Sequence, residues 1–152
     1  MGRLQLALNV ENRDEAVEFY SKLFDAKPNK IEPGYANFAL SDPPLKLVLI
    51  ENPGGDERLN HLGVEVETSQ EVNDAHARLT ASELDAAAGE NVECCFALKD
   101  ETWVHDPDGA AWEIYTVLAD VPSGKGSATP ARAGTASITD SEDASAGACC
   151  CG

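Results

Sequence analysis

The stretch Asn60-His61-Leu62-Gly63-Val64 aligns with Leu4-Gln5-Leu6-Ala7-Leu8 at the other end of the domain, and this pairing decides the fold. Each stretch alternates like a strand, and each leads into a run with apolar residues at helical spacing. After Leu4–Val10, the run Arg13–Phe24 carries Ala16, Val17, Tyr20, Leu23 and Phe24 along one face. After Asn60–Glu67, a helix is expected from about Gln70 to Leu84, with Val72, Ala75, Leu79 and Leu84 inward. Short strand patterns then return in both places. They are Tyr35–Leu40 and Leu45–Glu51 in the first half, and Val92–Leu98, Thr102–His105 and Ala111–Leu118 in the second. Asp42-Pro43-Pro44 and Asp106-Pro107-Asp108-Gly109 read as turns, and Pro53-Gly54-Gly55-Asp56 reads as a linker. The second half is thus β-α-β-β-β, and the first, with two of its three closing strands delimited, is read as the same unit. The fold class is α+β, with modules at about 3–52 and 59–119.

The whole chain of 152 residues is long enough for one domain with a sizeable core, and its hydrophobic fraction of 43% is ordinary. The domain spans 1–120. From 121 to 152 the sequence is built from Ala, Gly, Ser, Thr and Pro and reads as a disordered tail ending in cysteines. A net charge of −16 argues against nucleic acid and anionic membranes as partners and suits a small molecule or a cation. No apolar run approaches the roughly 20 residues of a membrane span, and no signal peptide is recognised, so a cytoplasmic protein is expected. A homodimer, with or without exchange of halves, is left open.

The internal repeat also aligns chemistry. Gln5 falls opposite His61, and in the closing strands Leu45-Lys46-Leu47-Val48 sets Lys46 opposite Glu113 of Trp112-Glu113-Ile114-Tyr115. Packed around a pseudo-twofold axis, these four side chains enter one cleft. Gln5, His61 and Glu113 can ligate a metal; a charged lysine has no lone pair to offer. An N/O/O set leaves coordination positions open, as a catalytic metal requires. Taken alone, His61 reads as a core histidine and Gln5 as a solvent-facing strand residue; the repeat is what joins them. Tyr35, Phe38, Trp103 and Tyr115 divide between core and pocket in a way the sequence does not sort.

Five cysteines form two clusters, Cys94-Cys95 and Cys149-Cys150-Cys151. Neighbouring Cα atoms sit about 3.8 Å apart, whereas a relaxed disulfide wants about 4.4–6.8 Å, so adjacent pairs favour thiols in a reducing compartment. Neighbours on a regular strand also point to opposite faces. For Cys94 and Cys95 to share a ligand the backbone must be irregular, and Gly89-Glu90-Asn91 suggests a mobile loop over 88–96. Both residues read equally well as small buried hydrophobes.

The paired modules, the inward histidine of Asn60-His61-Leu62-Gly63-Val64 and the ending Asp106-Pro107-Asp108-Gly109…Trp112-Glu113 resemble the vicinal-oxygen-chelate superfamily. That superfamily includes glyoxalase I, bleomycin-resistance proteins, fosfomycin-modifying enzymes and extradiol dioxygenases. With Pro33-Gly34-Tyr35-Ala36-Asn37-Phe38, Pro43-Pro44-Leu45-Lys46-Leu47-Val48-Leu49 and Cys94-Cys95, the sequence looks closer to organoarsenical carbon–arsenic lyases and the related cadmium-induced proteins. The resemblance implies an iron(II)-dependent dioxygenase that splits the C–As bond of trivalent organoarsenicals such as methylarsonous acid. Gln5, His61 and Glu113 would hold Fe(II), dioxygen would be the co-substrate, and Cys94 and Cys95 would bind arsenic. Cys149, Cys150 and Cys151 would pass arsenic inward or serve as a dispensable appendage. Two other readings stand beside it: a non-catalytic cadmium or arsenite binder, and a glyoxalase-like metalloenzyme. The latter wants a further ligand where Lys46 stands.

Overall fold

Alternation along the first strand gives the sheet two different faces. In β1 (Arg3–Val10), Gln5, Ala7 and Asn9 are buried on one side, while Leu6, Leu8 and Val10 pack on the other. The computed structural model describes residues 2–94 and 96–121. Cys95, Cys149, Cys150 and Cys151, and the tail expected over 121–152 apart from Val121, lie outside the described residues.

The chain continues through α1 (Arg13–Phe24), β2 (Lys30–Glu32), β3 (Tyr35–Ser41) and β4 (Pro44–Glu51). The second module follows as β5 (Leu59–Glu65), α2 (Ser69–Ala81), β6 (Ala87–Cys94), β7 (Ala97–His105) and β8 (Ala111–Asp120). The two β-α-β-β-β units are therefore present as expected. All eight strands form one sheet in the order β2-β3-β4-β1-β5-β8-β7-β6. The order β2-β3-β4-β1 of the first module is mirrored by β6-β7-β8-β5 in the second, and β1 and β5 join antiparallel at the centre. Each member of the central pair runs parallel to its neighbour within its own module, β1 with β4 and β5 with β8.

Capping explains where the helices begin. Asn12 accepts from the Glu15 amide at 3.0 Å, and Thr68 and Glu71 form a reciprocal capping box. Ala16, Val17, Tyr20 and Phe24 of α1 cover the core of Ala36, Phe38, Leu40, Leu47 and Leu49. On the opposite face Ala7, Tyr35, Val48, Ile50 and Cys94 form a second core. Leu47 and Leu49 thus go one way and Val48 and Ile50 the other, as strand geometry requires.

Four expectations need correction. Leu23 is 57% exposed, because the stripe of α1 that reaches the sheet is narrower than its apolar periodicity. Leu84 lies past the end of α2 and is 46% exposed; Val72 and Leu79 make the buried face. The expected strand Val92–Leu98 is split, since β6 ends at Cys94 and Phe96 adopts φ 62° in a turn before β7. The expected loop over 88–96 is mostly edge strand. Gly89-Glu90-Asn91 makes a bulge in it: Asn91 adopts φ 50° and donates its amide to Asp100 Oδ1 at 2.8 Å. The three-residue strand β2 carries too few residues for a periodic signal and went unassigned in sequence. Among the described residues no helix is long and apolar enough to cross a membrane.

Candidate metal and thiol site

Three strands bring the expected ligands together. In the sheet register Ala7 pairs with His61 and Gly63 pairs with both Gln5 and Glu113, so the three functional side chains rise around a glycine. A Cβ at Gly63 would meet Gln5 Nε2 at 3.2 Å and the Glu113 carbonyl oxygen at 3.1 Å. The missing side chain is what allows the strands' polar groups to converge.

Gln5 Nε2 lies 2.9 Å from His61 Nε2 and donates to Glu113 Oε2 at 3.1 Å. His61 Nε2 lies 3.4 Å from Glu113 Oε2. All three residues are buried, at 4%, 3% and 0% exposure. A chain of hydrogen bonds fixes the histidine tautomer. The Asn9 amide nitrogen donates to the Glu57 carbonyl, so Asn9 Oδ1 is left to accept from Asn60 Nδ2 at 3.0 Å. Asn60 Oδ1 then faces His61 Nδ1 at 2.7 Å and must accept from it. His61 Nε2 consequently points a lone pair at the centre of the triad, the arrangement that metal-binding histidines use. Trp103 packs its ring edge-on to His61 with centroids 5.2 Å apart.

Glu113 has further company. Lys99, also buried, pairs with Glu113 Oε1 and lies 3.1 Å from Glu101 Oε2. Burial alone would raise the Glu113 pKa. The Lys99 charge and its hydrogen bond, with the His61 ring beside the carboxylate, outweigh burial and hold it down to about 2. Glu101 is pushed up, by burial first and by the Glu113 charge next, against the pull of Lys99. Tyr115 donates its hydroxyl to Gln5 Oε1 at 2.5 Å, and burial, followed by the charges of Glu65 and Glu113, pushes its pKa up. The phenol thus stays protonated. Lys46, which the sequence set opposite Glu113, lies 3.3 Å from Glu65 Oε1; burial lowers its pKa against that partner.

These donors suit a metal ion. Three neighbouring ligands about 2.1 Å from an ion, at right angles, stand about 3.0 Å from one another. The observed edges of 2.9, 3.1 and 3.4 Å form such a triangle. Gln5 turns its Nε2 toward the centre and its Oε1 toward Tyr115. Ligation requires the amide oxygen, and a half-turn of the amide supplies it while Tyr115 accepts from Nε2. Among the described residues no three His, Cys, Asp or Glu side chains group as a metal site by themselves, so an ion held here would need the amide of Gln5 as its third protein donor.

The triad borders a cavity of about 30 Å³, room for roughly two water-sized groups. Cys94, 7% exposed, lines the same cavity, as do Tyr35, Lys46, Lys99 and Tyr115. The aromatic residues are now sorted: Tyr35 and Tyr115 face the cavity, Trp103 buttresses His61, and Phe38 belongs to the core beneath α1. His105 is exposed at the end of β7, and His76 packs its ring nitrogen 3.0 Å from Thr102 Oγ1. The sequence reading missed Lys99, Glu101 and the Asn9–Asn60 support. The two-residue period of Lys99, Glu101 and Trp103 was the available signal, hidden by splitting β7.

A sequence profile of the Glyoxalase/Bleomycin resistance protein/Dioxygenase superfamily matches residues 2–114. The chain is 57% identical over 120 residues to the cadmium-induced protein CadI of Mycobacterium tuberculosis, covering 79% of each. It is 46% identical over 152 residues to a trivalent organoarsenical cleaving enzyme of Thermomonospora curvata, covering 99% of this chain and 100% of that one. Among solved structures, an extradiol ring-cleaving dioxygenase from B. fuscum is similar in fold, with a TM-score of 0.59 and 18% identity. That match covers 79% of this chain and 34% of the dioxygenase.

Proposed function

The chain belongs to the glyoxalase/bleomycin resistance protein/dioxygenase superfamily, and from that footing we propose that it cleaves the carbon–arsenic bond of trivalent organoarsenicals. A methyl-substituted substrate such as methylarsonous acid would be converted, with one dioxygen consumed, to arsenite and formaldehyde. The observation that carries this reading is the cavity itself, bordered on one side by Gln5, His61 and Glu113 and on another by the Cys94 thiol. The relative from Thermomonospora curvata, named for this reaction, aligns over nearly the whole chain.

Gln5, His61 and Glu113 would hold one divalent ion, which we assign as iron(II). When bound, such an ion supplies electrons and open positions for dioxygen, the co-substrate. The protein's own groups do the rest. The Asn60 acceptor keeps the proton on His61 Nδ1 and the lone pair on Nε2. Lys99 occupies Glu113 Oε1, so Oε2 is the oxygen left facing His61 and Gln5. Trivalent arsenic is soft and prefers thiolates, whereas the N/O/O triad is harder. Cys94 with Cys95 would therefore grip arsenic and leave its carbon substituent facing the triad. A narrow, mostly buried cavity limits the water that reaches the reacting carbon. Reduced thiols are needed throughout, which suits a cytoplasmic protein.

The higher identity to cadmium-induced proteins favours a second reading, a thiol site that sequesters soft ions without turnover. The glyoxalase-like alternative is weaker, because Lys46 sits beside Glu65 where a further ligand would stand. Changing Cys94 and Cys95 together to Ser separates the cases. The double variant should still bind Fe(II) or Mn(II) like the wild type, yet release no arsenite from methylarsonous acid. Full release by the double variant removes the thiols from the mechanism.

A further inference from the structure

The first and last strands of the sheet order, β2 and β6, belong to different modules, yet a side chain of β2 reaches the turn that follows β6. Lys30 Nζ donates to the carbonyl of Phe96 at 2.8 Å and to Asp120 Oδ1 at 2.7 Å. The same carbonyl accepts from the Val121 amide at 2.9 Å, so two donors fix one oxygen. Phe96 holds φ 62°, and its ring lies 5.4 Å from that of Tyr35, which borders the cavity. Cys94 is two residues away and closes the hairpin opposite Ala97.

We propose that Lys30 is a positioning residue that clamps the β6–β7 turn from the first module and so fixes the Cys94 thiol in the cavity. The argument rests on reading Cys94 as a thiol that grips arsenic. A hairpin turn with a residue in the left-handed region stores local strain and holds its shape when its surroundings determine it. Here the charge-assisted bond from Lys30 does so, with the lysine side chain 19% exposed even though Asp120 is 80% exposed. Asp120 closes the arrangement from the end of β8, the strand that also carries Glu113. One lysine thereby links the β2 edge, the thiol turn and the ligand strand. It acts through the backbone beside Cys94 and touches neither arsenic nor the metal ligands.

The test uses the full chain as wild type, Lys30→Met, Lys30→Arg and Val72→Ala. Peptide-resolved mass spectrometry follows alkylation of Cys94 by iodoacetamide, a neutral probe. Lys30→Met should be alkylated about fivefold faster than wild type, with Lys30→Arg back within about twofold, because arginine can still donate to the carbonyl. Val72→Ala, which weakens the fold under α2, should not reproduce the acceleration. In turnover, Lys30→Met should raise KM for methylarsonous acid about tenfold and leave kcat within about twofold, with metal affinity unchanged. Equal Cys94 rates in wild type and Lys30→Met overturn the proposal, as does an equal acceleration in Val72→Ala. A wild type that releases no arsenite defeats the functional reading, and the Cys94 rates still decide the role of Lys30.

Discussion

Glu113 carries a charge with no exposed surface, so its neighbours must do what water cannot. Lys99 does so first, and its charge overcomes the penalty of burial to hold the carboxyl near 2. In the unfolded chain the same group titrates at about 4.3. Its folded value is lower, so the stability it contributes is present above about 4.3 and drains away as pH falls through about 2. Urea titrations of the metal-free protein between those limits should show wild type losing its advantage over Glu113→Gln as the solution is acidified. A gap that stays constant with pH would mean that Glu113 is not held ionised by Lys99. That Gln5, His61 and Glu113 would meet was legible in sequence because the repeat set Gln5 against His61 and Lys46 against Glu113. Their supports were not. Asn9 and Asn60 look like ordinary strand polar residues until the Glu57 carbonyl orients the first of them. Lys99 looks like a surface lysine until β7 turns it inward.

Elements were readable where periodicity and turn chemistry agreed. Asp106 closes its hairpin by accepting the backbone amides of Asp108 and Ala110 on Oδ1, a turn the residues themselves announce. The β6–β7 hairpin turns without glycine or proline, with Phe96 in the left-handed region, so composition gave no sign of it. Gly89-Glu90-Asn91 did give a sign, but a bulge and a chain break look alike from sequence. Helix faces carry the same lesson. In α2, Val72 and Leu79 are buried where the helix packs on β7 and β8, whereas Leu84 follows the helix end. Leu79→Ala should therefore cost about 3 kcal/mol, and Leu84→Ala less than about 0.5 kcal/mol. Equilibrium urea unfolding of both variants checks this. Similar losses in the two would show that the helix extends its apolar face to Leu84.

At the scale of the molecule, two copies of one module bury their apolar sides under helices and turn the remaining side of the sheet toward each other. That side holds a small core, the triad and the Cys94 thiol. Gln5, His61 and Glu113 meet within one chain, contributed by β1, β5 and β8 across the junction of the modules. Neither module contains the site alone. The duplication was visible in the sequence; how closely the strands approach was not, because it depends on Gly63 and on the curl of the sheet. The account stands or falls on whether this convergence reacts with an arsenical. Arsenite release from methylarsonous acid should be measured for the iron(II)-loaded wild type in air and under strict anaerobiosis, with His61→Ala in air as the control. Release by the wild type in air alone, and none from His61→Ala, is the expected result. Equal release without oxygen, or undiminished release by His61→Ala, would contradict the assignment of the triad as the reaction centre.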